Sequence, residues 1–280
     1  MELFFDSGAT KCDCILLEQG RYVRHHTGKG INASYTDDAT IESILQHFKK
    51  ELPSTTFTEL VFSGAGCGNE KNASRVRSLL QQHFTADSIT VESDLAGACR
   101  LMGSGEICLV AILGTGAAAC LYDGEKIIRQ TPSLGWMLGD EGSGTHLGKM
   151  LITKYLEEDL SPNIRQMLEE EFSLDRPTIL QKIYREPAPN LFFASFGPFL
   201  EKNAGDDDIN RLLTNAFRLF FYKQILPLRL PDGLEKEYPL HIMGSIGSHF
   251  QTQITNAAAL NAQSQITFAE SPLSILKSRI

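Results

Sequence analysis

The sequence lacks long apolar runs and basic segments. No stretch reaches the run of about 20 apolar residues that a membrane helix needs. Residues 1–6 contain no basic group and end in an acid, unlike a signal peptide. The formal net charge is −8. Because nucleic acids and anionic membranes attract basic surfaces, this charge argues against both as partners.

The cysteines are scattered and are not spaced as a disulfide framework. The six cysteines all lie in the first half of the chain, mostly inside apolar runs. This pattern predicts reduced thiols in the core of a cytoplasmic protein. Cys12 and Cys14 fall on one face of a predicted strand, where apolar packing is favoured over a metal or redox pair.

Three common catalytic motifs are absent. The chain has no Gly-x-x-x-x-Gly-Lys-Ser/Thr loop, because Gly148 and Lys149 lack both the upstream glycine and the following hydroxyl. It also has no His-Glu-x-x-His zinc motif and no Gly-x-Ser-x-Gly elbow. A phosphate site in this protein would therefore need a different loop.

Glycine-containing turns recur where predicted strands end. Glycine lets backbone N–H groups close on an anion without a side chain in the way. Strand ends that meet at the mouth of a sheet form a cleft, and backbone groups let an acidic protein bind phosphate there. The turns together predict a site for a phosphorylated ligand such as a nucleotide. They lie at residues 6–11, 63–68, 114–116, 139–144 and 244–247.

The order of predicted elements indicates an α/β protein with a duplicated architecture. Strands and helices alternate up to residue 102, which predicts a mixed sheet. A second set of strands, between 107 and 129, then repeats the opening pattern of strands around a glycine turn. The openings Phe-Asp-Ser-Gly-Ala-Thr and Leu-Gly-Thr-Gly-Ala-Ala are weakly alike. This duplication predicts two similar domains, residues 1–104 and 105–280, that face one another.

The remainder of the second domain is predicted to be largely helical from residue 143 to about residue 226. Single helices are expected at 191–202 and 208–225, and a proline-bearing connector at 227–239. Earlier in the chain, Asp37 or Asp38 is expected to cap the first helix.

The first glycine turn, at residues 6–11, has two interpretations. It is either an ordinary β-hairpin turn or a phosphate-binding hairpin, and the residues alone leave both open. Asp6 beside a phosphate would be repelled unless a divalent cation lay between them. Mg²⁺ that is held partly through its waters is the usual solution.

Three further carboxylates stand beside such turns. Asp94 follows a predicted strand and is either the N-cap of the next helix or a general base. Asp140 and Glu141 either cap the helix that follows or accept hydrogen bonds from ligand hydroxyls. The single tryptophan, Trp136, adjoins them as a wall for a sugar or as part of the core, and the core is slightly favoured.

Taken in order, these segments resemble the actin, heat-shock chaperone and hexokinase ATPase superfamily. More narrowly, they resemble the N-acetylglucosamine kinases and the related BadF/BadG-type ATPases. The Gly-Asp-Glu-Gly-Ser-Gly block at 139–144 is the most distinctive match. The chain departs from the family pattern at Ser133, where tryptophan is frequent, and at Ala9, where glycine is common. The matching segments are 6–11, 28–32, 63–66, 93–98, 113–116, 135–144 and 243–247.

The resemblance implies two ribonuclease H-like (actin-like ATPase) domains with an interdomain cleft. It implies a cytoplasmic, ATP- and Mg²⁺-dependent kinase that phosphorylates an amino sugar, most simply N-acetylglucosamine at the 6-hydroxyl. The partner is then a small-molecule sugar, and a homodimer is compatible with the family. The alternatives are an ATPase that activates a partner enzyme, as some BadF-type proteins do, and a catalytically weak sugar sensor.

The resemblance also implies residue roles. Asp94 is the catalytic base and contacts the sugar, and Asp6 positions Mg²⁺ through water. The nucleotide-binding residues are Asp6, Gly8, Thr10, Lys11, Gly114, Thr115, Gly116, Gly244 and Ser245. The other sugar-binding residues are Asn32, Gly135, Asp140 and Glu141.

Overall fold

A computed structural model of the protein describes residues 1–103, 105–229 and 237–278. The chain divides into two compact units, one formed by Met1–Ser104 with Ser271–Ile280 and the other by Gly105–Glu270. Each unit contains a five-stranded mixed sheet with helices, so the α/β prediction is confirmed. None of the helices in the described residues is long and apolar enough to cross a membrane.

The strands and helices are numbered in chain order. The strands are β1 (Glu2–Ser7), β2 (Lys11–Glu18), β3 (Arg21–Lys29), β4 (Thr56–Gly64), β5 (Thr85–Ser93), β6 (Cys108–Leu113), β7 (Ala117–Tyr122), β8 (Ile127–Gln130), β9 (Leu240–Met243) and β10 (Ile266–Ala269). The helices are α1 (Asp38–Glu51), α2 (Glu70–His83), α3 (Asp94–Met102), α4 (Gly135–Leu138), α5 (Gly144–Leu156), α6 (Pro162–Phe172), α7 (Arg176–Tyr184), α8 (Pro189–Ala194), α9 (Gly197–Lys202), α10 (Asp207–Phe220), α11 (Ser245–His249), α12 (Gln251–Ala259) and α13 (Pro272–Lys277). A π-helix (Phe221–Ile225) and a 3₁₀ turn (Leu226–Leu228) follow α10.

The two sheets have the same topology. The first has the strand order β3-β2-β1-β4-β5 and the second β8-β7-β6-β9-β10. In each, the first strand pairs antiparallel with the second and parallel with the fourth. The weak likeness of the two sequence openings therefore reflects a repeated fold.

Each sheet buries its apolar residues beneath helices. In the first unit Phe5 of β1 lies at the centre, with its ring centroid 5.7 Å from Phe48, 5.9 Å from Phe62 and 5.8 Å from Phe84. Helix α1 presents apolar residues at helical spacing to this core and begins at the N-cap Asp37. In the second unit α10 buries one complete face of six residues against the sheet core.

The C-terminal segment differs from the predicted division of the chain. It was expected to belong to the second domain, but Ser271–Ile280 clusters with the first unit. Leu276 of α13 is 2% exposed and packs with Phe4, Ile15, Leu17 and Val61 of the first sheet. Burial of this apolar side chain holds the helix there.

Two other predictions differ in detail. The single helix expected at 191–202 is two helices, because Pro198 near the start of α9 cannot continue the hydrogen-bond ladder of α8. The helix expected at 208–225 ends as an α-helix at Phe220 and continues as the π-helix. Residue 104, the predicted end of the first domain, and residues 230–236 of the predicted connector lie outside the described residues.

Candidate functional site

The first glycine turn is closed by backbone contacts at the end of β1. The Gly8 N–H donates to the Lys11 carbonyl at 2.9 Å, and the Gly30 N–H donates to the Thr10 carbonyl at 3.0 Å. A Cβ on Gly30 would lie 2.3 Å from the Gly8 carbonyl oxygen, so only glycine permits this approach. The turn is thus held against the segment that carries Asn32.

Asn32 is held at the same edge of the first sheet. The buried Ser7 hydroxyl donates to the Ile31 carbonyl at 3.1 Å and accepts from the Ile31 N–H at 2.8 Å. The Asn32 Oδ1 accepts from the Ser34 N–H at 3.0 Å. The Arg75 guanidinium donates to the Ala33 carbonyl at 2.9 Å and so braces the loop from α2.

Asp6 lies in a group of acids within the first unit. Asp13 stands opposite it in the β1–β2 register and is fully buried. Asp13 accepts from the Thr27 hydroxyl at 2.6 Å and pairs with the Lys11 ammonium at 2.8 Å. Burial, which is the largest cause, and the charges of Asp13 and Asp94 together raise the pKa of Asp6 to about 7, against the lowering effect of the Lys11 charge. These carboxylates exceed the local positive charge.

This charge excess fits a bound cation. The described residues contain no group of three or more acidic, His or Cys side chains arranged to hold a metal ion. A single carboxylate, phosphate oxygens and water are a typical set of ligands for Mg²⁺, which keeps several waters when it binds. Asp6 is thus the residue that suits such an ion.

Asp94 is the first residue of α3, and the N-cap interpretation of it is wrong. The cap is Ser93, whose hydroxyl oxygen accepts from the Ala96 N–H at 3.1 Å. The Asp94 carboxylate accepts a local hydrogen bond from the Leu95 N–H at 2.9 Å. Burial raises the pKa of Asp94 against the lowering effect of that bond. A carboxylate with a raised pKa is suited to act as a general base.

In the second unit the turn at residues 114–116 is tied to the start of α5. The Gly114 N–H donates to the Gly116 carbonyl at 3.0 Å, and the Gly144 N–H donates to the Gly114 carbonyl at 2.8 Å. The Thr145 hydroxyl donates to the Thr115 carbonyl at 2.7 Å. The second glycine turn and the 139–144 loop therefore form one structure.

Asp140 faces this turn and does not cap the helix. The cap of α5 is Ser143, which accepts from the His146 N–H at 3.1 Å, so the capping interpretation of Asp140 and Glu141 is wrong. A Cβ on Gly116 would lie 3.1 Å from the Asp140 carboxylate. Burial raises the pKa of Asp140, and the charge of Glu141 adds to this, while a hydrogen bond from the Ala117 backbone lowers it.

Two side chains from outside the 139–144 loop also hold it in place. The His146 Nδ1 accepts from the Gly142 N–H at 3.1 Å. Burial lowers the pKa of His146 to about 4, so the ring stays neutral and keeps this acceptor. Gln224 donates from Nε2 to Glu141 Oε2 at 2.8 Å. Both contacts fix the conformation of a glycine-rich segment that has φ +82° at Gly142.

The predicted adenosine-binding residues lie at the end of β9. Gly244 has φ +119°, and a Cβ there would lie 2.3 Å from the Leu113 carbonyl oxygen. Gly244 and the following Ser245, which begins α11, therefore stand beside the second glycine turn.

Gly135 and Trp136 lie on the short helix α4. Gly135 is exposed, and its carbonyl accepts from the Gly139 N–H at 2.8 Å. Trp136 is partly buried, and its ring centroid lies 6.1 Å from that of Phe193. This agrees with the core interpretation of the tryptophan.

The structure thus collects the predicted residues into one set in each unit. Sequence reasoning missed three residues that support them: Asp13, His146 and Gln224. Only Asp13 had a local signal, because an acid inside the apolar run of β2 is unusual. His146 and Gln224 had none, since their partners are set by tertiary contacts.

Comparison with known proteins gives full-length structural matches. No protein-family sequence model matches the chain, and no curated protein sequence matches it. A candidate N-acetylglucosamine kinase from Porphyromonas gingivalis is 26% identical, with a TM-score of 0.85 over 100% of this chain and 98% of that one. A candidate N-acetylglucosamine kinase from Chromobacterium violaceum is 18% identical, with a TM-score of 0.70 over 98% and 97% of the two chains.

A more distant match shares the fold alone. It is a ROK family glucokinase from Streptomyces griseus in complex with glucose and AMPPNP, which is 10% identical with a TM-score of 0.56 over 99% and 98% of the chains. The repeated sheet topology, the order of the glycine motifs at its strand ends and the full-length match at 26% identity place the chain in the superfamily of actin-like ATPase fold proteins that includes sugar kinases.

Proposed function

We propose that the protein is an ATP-dependent sugar kinase that phosphorylates an amino sugar. The proposed substrate is N-acetylglucosamine, and the proposed acceptor is its 6-hydroxyl. The full-length similarity to a candidate N-acetylglucosamine kinase supports this choice. The ordered motifs that resemble that family support it independently.

The proposal rests mainly on two glycines, Gly8 and Gly114, at which the protein itself leaves room for a larger side chain. Gly8 follows β1 and Gly114 follows β6, the equivalent strands of the two sheets. A Cβ on Gly8 would come no closer than 3.8 Å to another residue, and one on Gly114 would meet nothing within 4 Å. Both positions tolerate a methyl group until a ligand approaches the backbone, as a phosphate does.

Asp94 is the proposed catalytic base. It accepts the proton of the sugar hydroxyl while that oxygen attacks the γ-phosphorus, and the bond to the β-phosphate oxygen breaks to release ADP. The direction of its pKa shift supports the role, because a raised pKa brings the carboxylate closer to the pH at which it works. Such a base contributes about 10²- to 10⁴-fold to the rate.

The glycine turns and Asp6 are proposed to bind the nucleotide. The first turn supplies Gly8, Thr10 and the Lys11 ammonium, and the second supplies residues 114–116. Mg²⁺ neutralises phosphate charge when bound, and Asp6 would hold it through water. Gly244 and Ser245 contact the adenosine.

The residues proposed to contact the sugar are Asn32, Asp94, Gly135, Asp140 and Glu141, as the family resemblance implies. Carboxylate oxygens suit this task because each accepts hydrogen bonds from neighbouring hydroxyls.

The test is ADP release from purified protein with Mg-ATP across hexoses, N-acetylhexosamines and no sugar. We expect turnover that requires N-acetylglucosamine and falls by about 10²-fold or more in Asp94→Asn. Asp175→Asn is the matched control, because Asp175 caps α7 on the surface and asparagine is an equally good cap. NMR of the product would show whether phosphorus is attached to the 6-oxygen.

The same assay separates the alternatives. Turnover without sugar would favour the ATPase that activates a partner enzyme, and sugar binding without turnover would favour the sensor. Either result, or unchanged turnover in Asp94→Asn, would overturn the kinase proposal.

A further inference from the structure

The π-helix after α10 places a polar side chain in the core of the second unit. Phe221, Gln224 and Ile225 of this segment are all buried, whereas Tyr222 is 64% exposed. π-helical segments are rare and often occur at functional sites. An amide at a buried position is unfavourable unless its hydrogen-bonding groups are paired.

Both ends of the Gln224 amide are paired with residues far away in the sequence. Its Nε2 donates to Glu141 Oε2 at 2.8 Å, and its Oε1 accepts from the buried Thr131 hydroxyl at 2.8 Å. The Glu141 carboxylate, when ionised, can only accept hydrogen bonds, so it fixes the orientation of the amide: the NH₂ group faces Glu141 and the carbonyl oxygen faces Thr131, whose hydroxyl also lies 3.1 Å from the Ala119 carbonyl. An amide turned over would set its oxygen against the carboxylate and lose the hydrogen bond to Glu141.

We propose that Gln224 is a positioning residue that orients the Glu141 carboxylate for a neutral hydroxyl or amide N–H donor of the ligand. This inference rests on the proposed function. Gln224 holds Oε2, so Oε1 remains to accept from the ligand. Glu141 follows Asp140, whose backbone has φ +57°, in a loop that would otherwise allow its side chain several orientations. A buried amide thus fixes the orientation of one carboxylate.

The test is the Gln224→Glu variant, which keeps the shape of the side chain but removes its donor and sets two carboxylates against one another. We expect the dissociation constant for N-acetylglucosamine, measured by calorimetry without nucleotide, to rise about tenfold or more. ATP affinity should stay unchanged. The loss of sugar affinity in Gln224→Glu should become smaller as the pH is lowered towards 5, because two facing carboxylates can then share a proton.

Gln166→Glu is the matched control. Gln166 donates to Glu170 at 2.8 Å on the exposed surface of α6, so the same chemical change occurs without burial or a loop to orient. It should leave sugar affinity unchanged at every pH. If Gln224→Glu does not fold, Gln224→Met removes the donor without adding charge and should weaken sugar binding without the pH dependence.

The exchange variant Gln224→Glu/Glu141→Gln separates positioning from stability. It restores the hydrogen bond with its direction reversed but moves the carboxylate away from the loop. Restored thermal stability with persistently weak sugar binding is expected. Restored sugar binding would overturn the inference, as would a folded Gln224→Glu or Gln224→Met protein with wild-type affinity. If the unmodified protein binds no sugar, the proposed function itself fails.

Discussion

At the residue scale, Asp6 is a group whose charged form the first unit destabilises. It is partly buried beside Asp13 and Asp94, and the Lys11 ammonium compensates for only part of the charge. Because the pKa of Asp6 is about 7 in the folded protein and 3.8 for a free aspartate, the folded protein without ligands keeps a proton on Asp6 between these pH values, whereas the unfolded chain has released it. A bound cation would relieve this repulsion, which agrees with the proposed Mg²⁺.

We predict that Asp6→Asn stabilises the protein without nucleotide or Mg²⁺ in a pH-dependent manner. Between pH 4 and 7 the folded state binds more protons at Asp6 than the unfolded state, so wild-type stability falls as the pH rises through this window. Asparagine does not titrate. The variant should therefore gain about 2 kcal/mol at pH 8 and little at pH 4, as measured by denaturant unfolding.

Asp87→Asn is the control for this effect, because Asp87 lies exposed on β5 in the same unit. Equal gains for both variants at pH 8 would contradict the prediction. Saturating Mg-ATP should stabilise the wild type more than Asp6→Asn, so that the wild type becomes the more stable of the two proteins.

At the element scale, the β1–β2 and β6–β7 hairpins occupy equivalent places in the two sheets but close through different internal contacts. The first closes through the Gly8 N–H and Lys11 carbonyl, and the second through the Gly114 N–H and Gly116 carbonyl. Their leading glycines are unconstrained, whereas Gly30 and Gly244 are required by close backbone approaches. Packing therefore requires glycine at Gly30 and Gly244, whereas at Gly8 and Gly114 the proposed phosphate contact is the reason offered for glycine.

We predict that Gly8→Ala and Gly114→Ala fold with wild-type stability but bind ATP about tenfold more weakly. The added methyl group meets no protein atom at less than 3.8 Å, yet it restricts phosphate access to the turn. ATP affinity by calorimetry and the melting temperature would be measured together. Gly205→Ala, at a position with nothing within 4 Å, is the control. Wild-type ATP affinity in both alanine variants would remove the main support for the phosphate turns.

At the scale of the whole molecule, the chain repeats one sheet topology and returns at its end to the first unit. The sheets share strand order and strand directions, although helices α6–α10 enlarge only the second unit. The last helix packs on the first sheet through Leu276. The C-terminal helix α13 thus contributes to the stability of the first unit.

We predict that Leu276→Ala lowers the stability of the first unit by about 2–4 kcal/mol, because it leaves a cavity in a closed apolar cluster. Leu260→Ala, at a position 69% exposed in the second unit, should change stability little. Hydrogen exchange of the full chain would locate the effect. Loss of protection confined to the second unit would contradict this placement of the terminal helix.

Local sequence patterns were sufficient to predict most helices, strands and the duplicated motifs. The apolar periodicity of α1 and α2, the strand runs and the glycine turns all depend on neighbours within a few residues. The family resemblance rests on the same local segments and their order. The sequence could identify Asp94 and Asp140 as site candidates but could not exclude capping roles for them, because the actual caps, Ser93 and Ser143, lie only one and three positions away.

The contacts that support the site residues arise from tertiary packing. Gln224 lies 83 residues from Glu141, and its hydrogen bond exists because the π-helix and the 139–144 loop pack together. Likewise, Leu276 joins the first sheet because an apolar gap there accepts it. Such contacts depend on which surfaces remain to be buried after the sheets form, and no local sequence pattern encodes that choice.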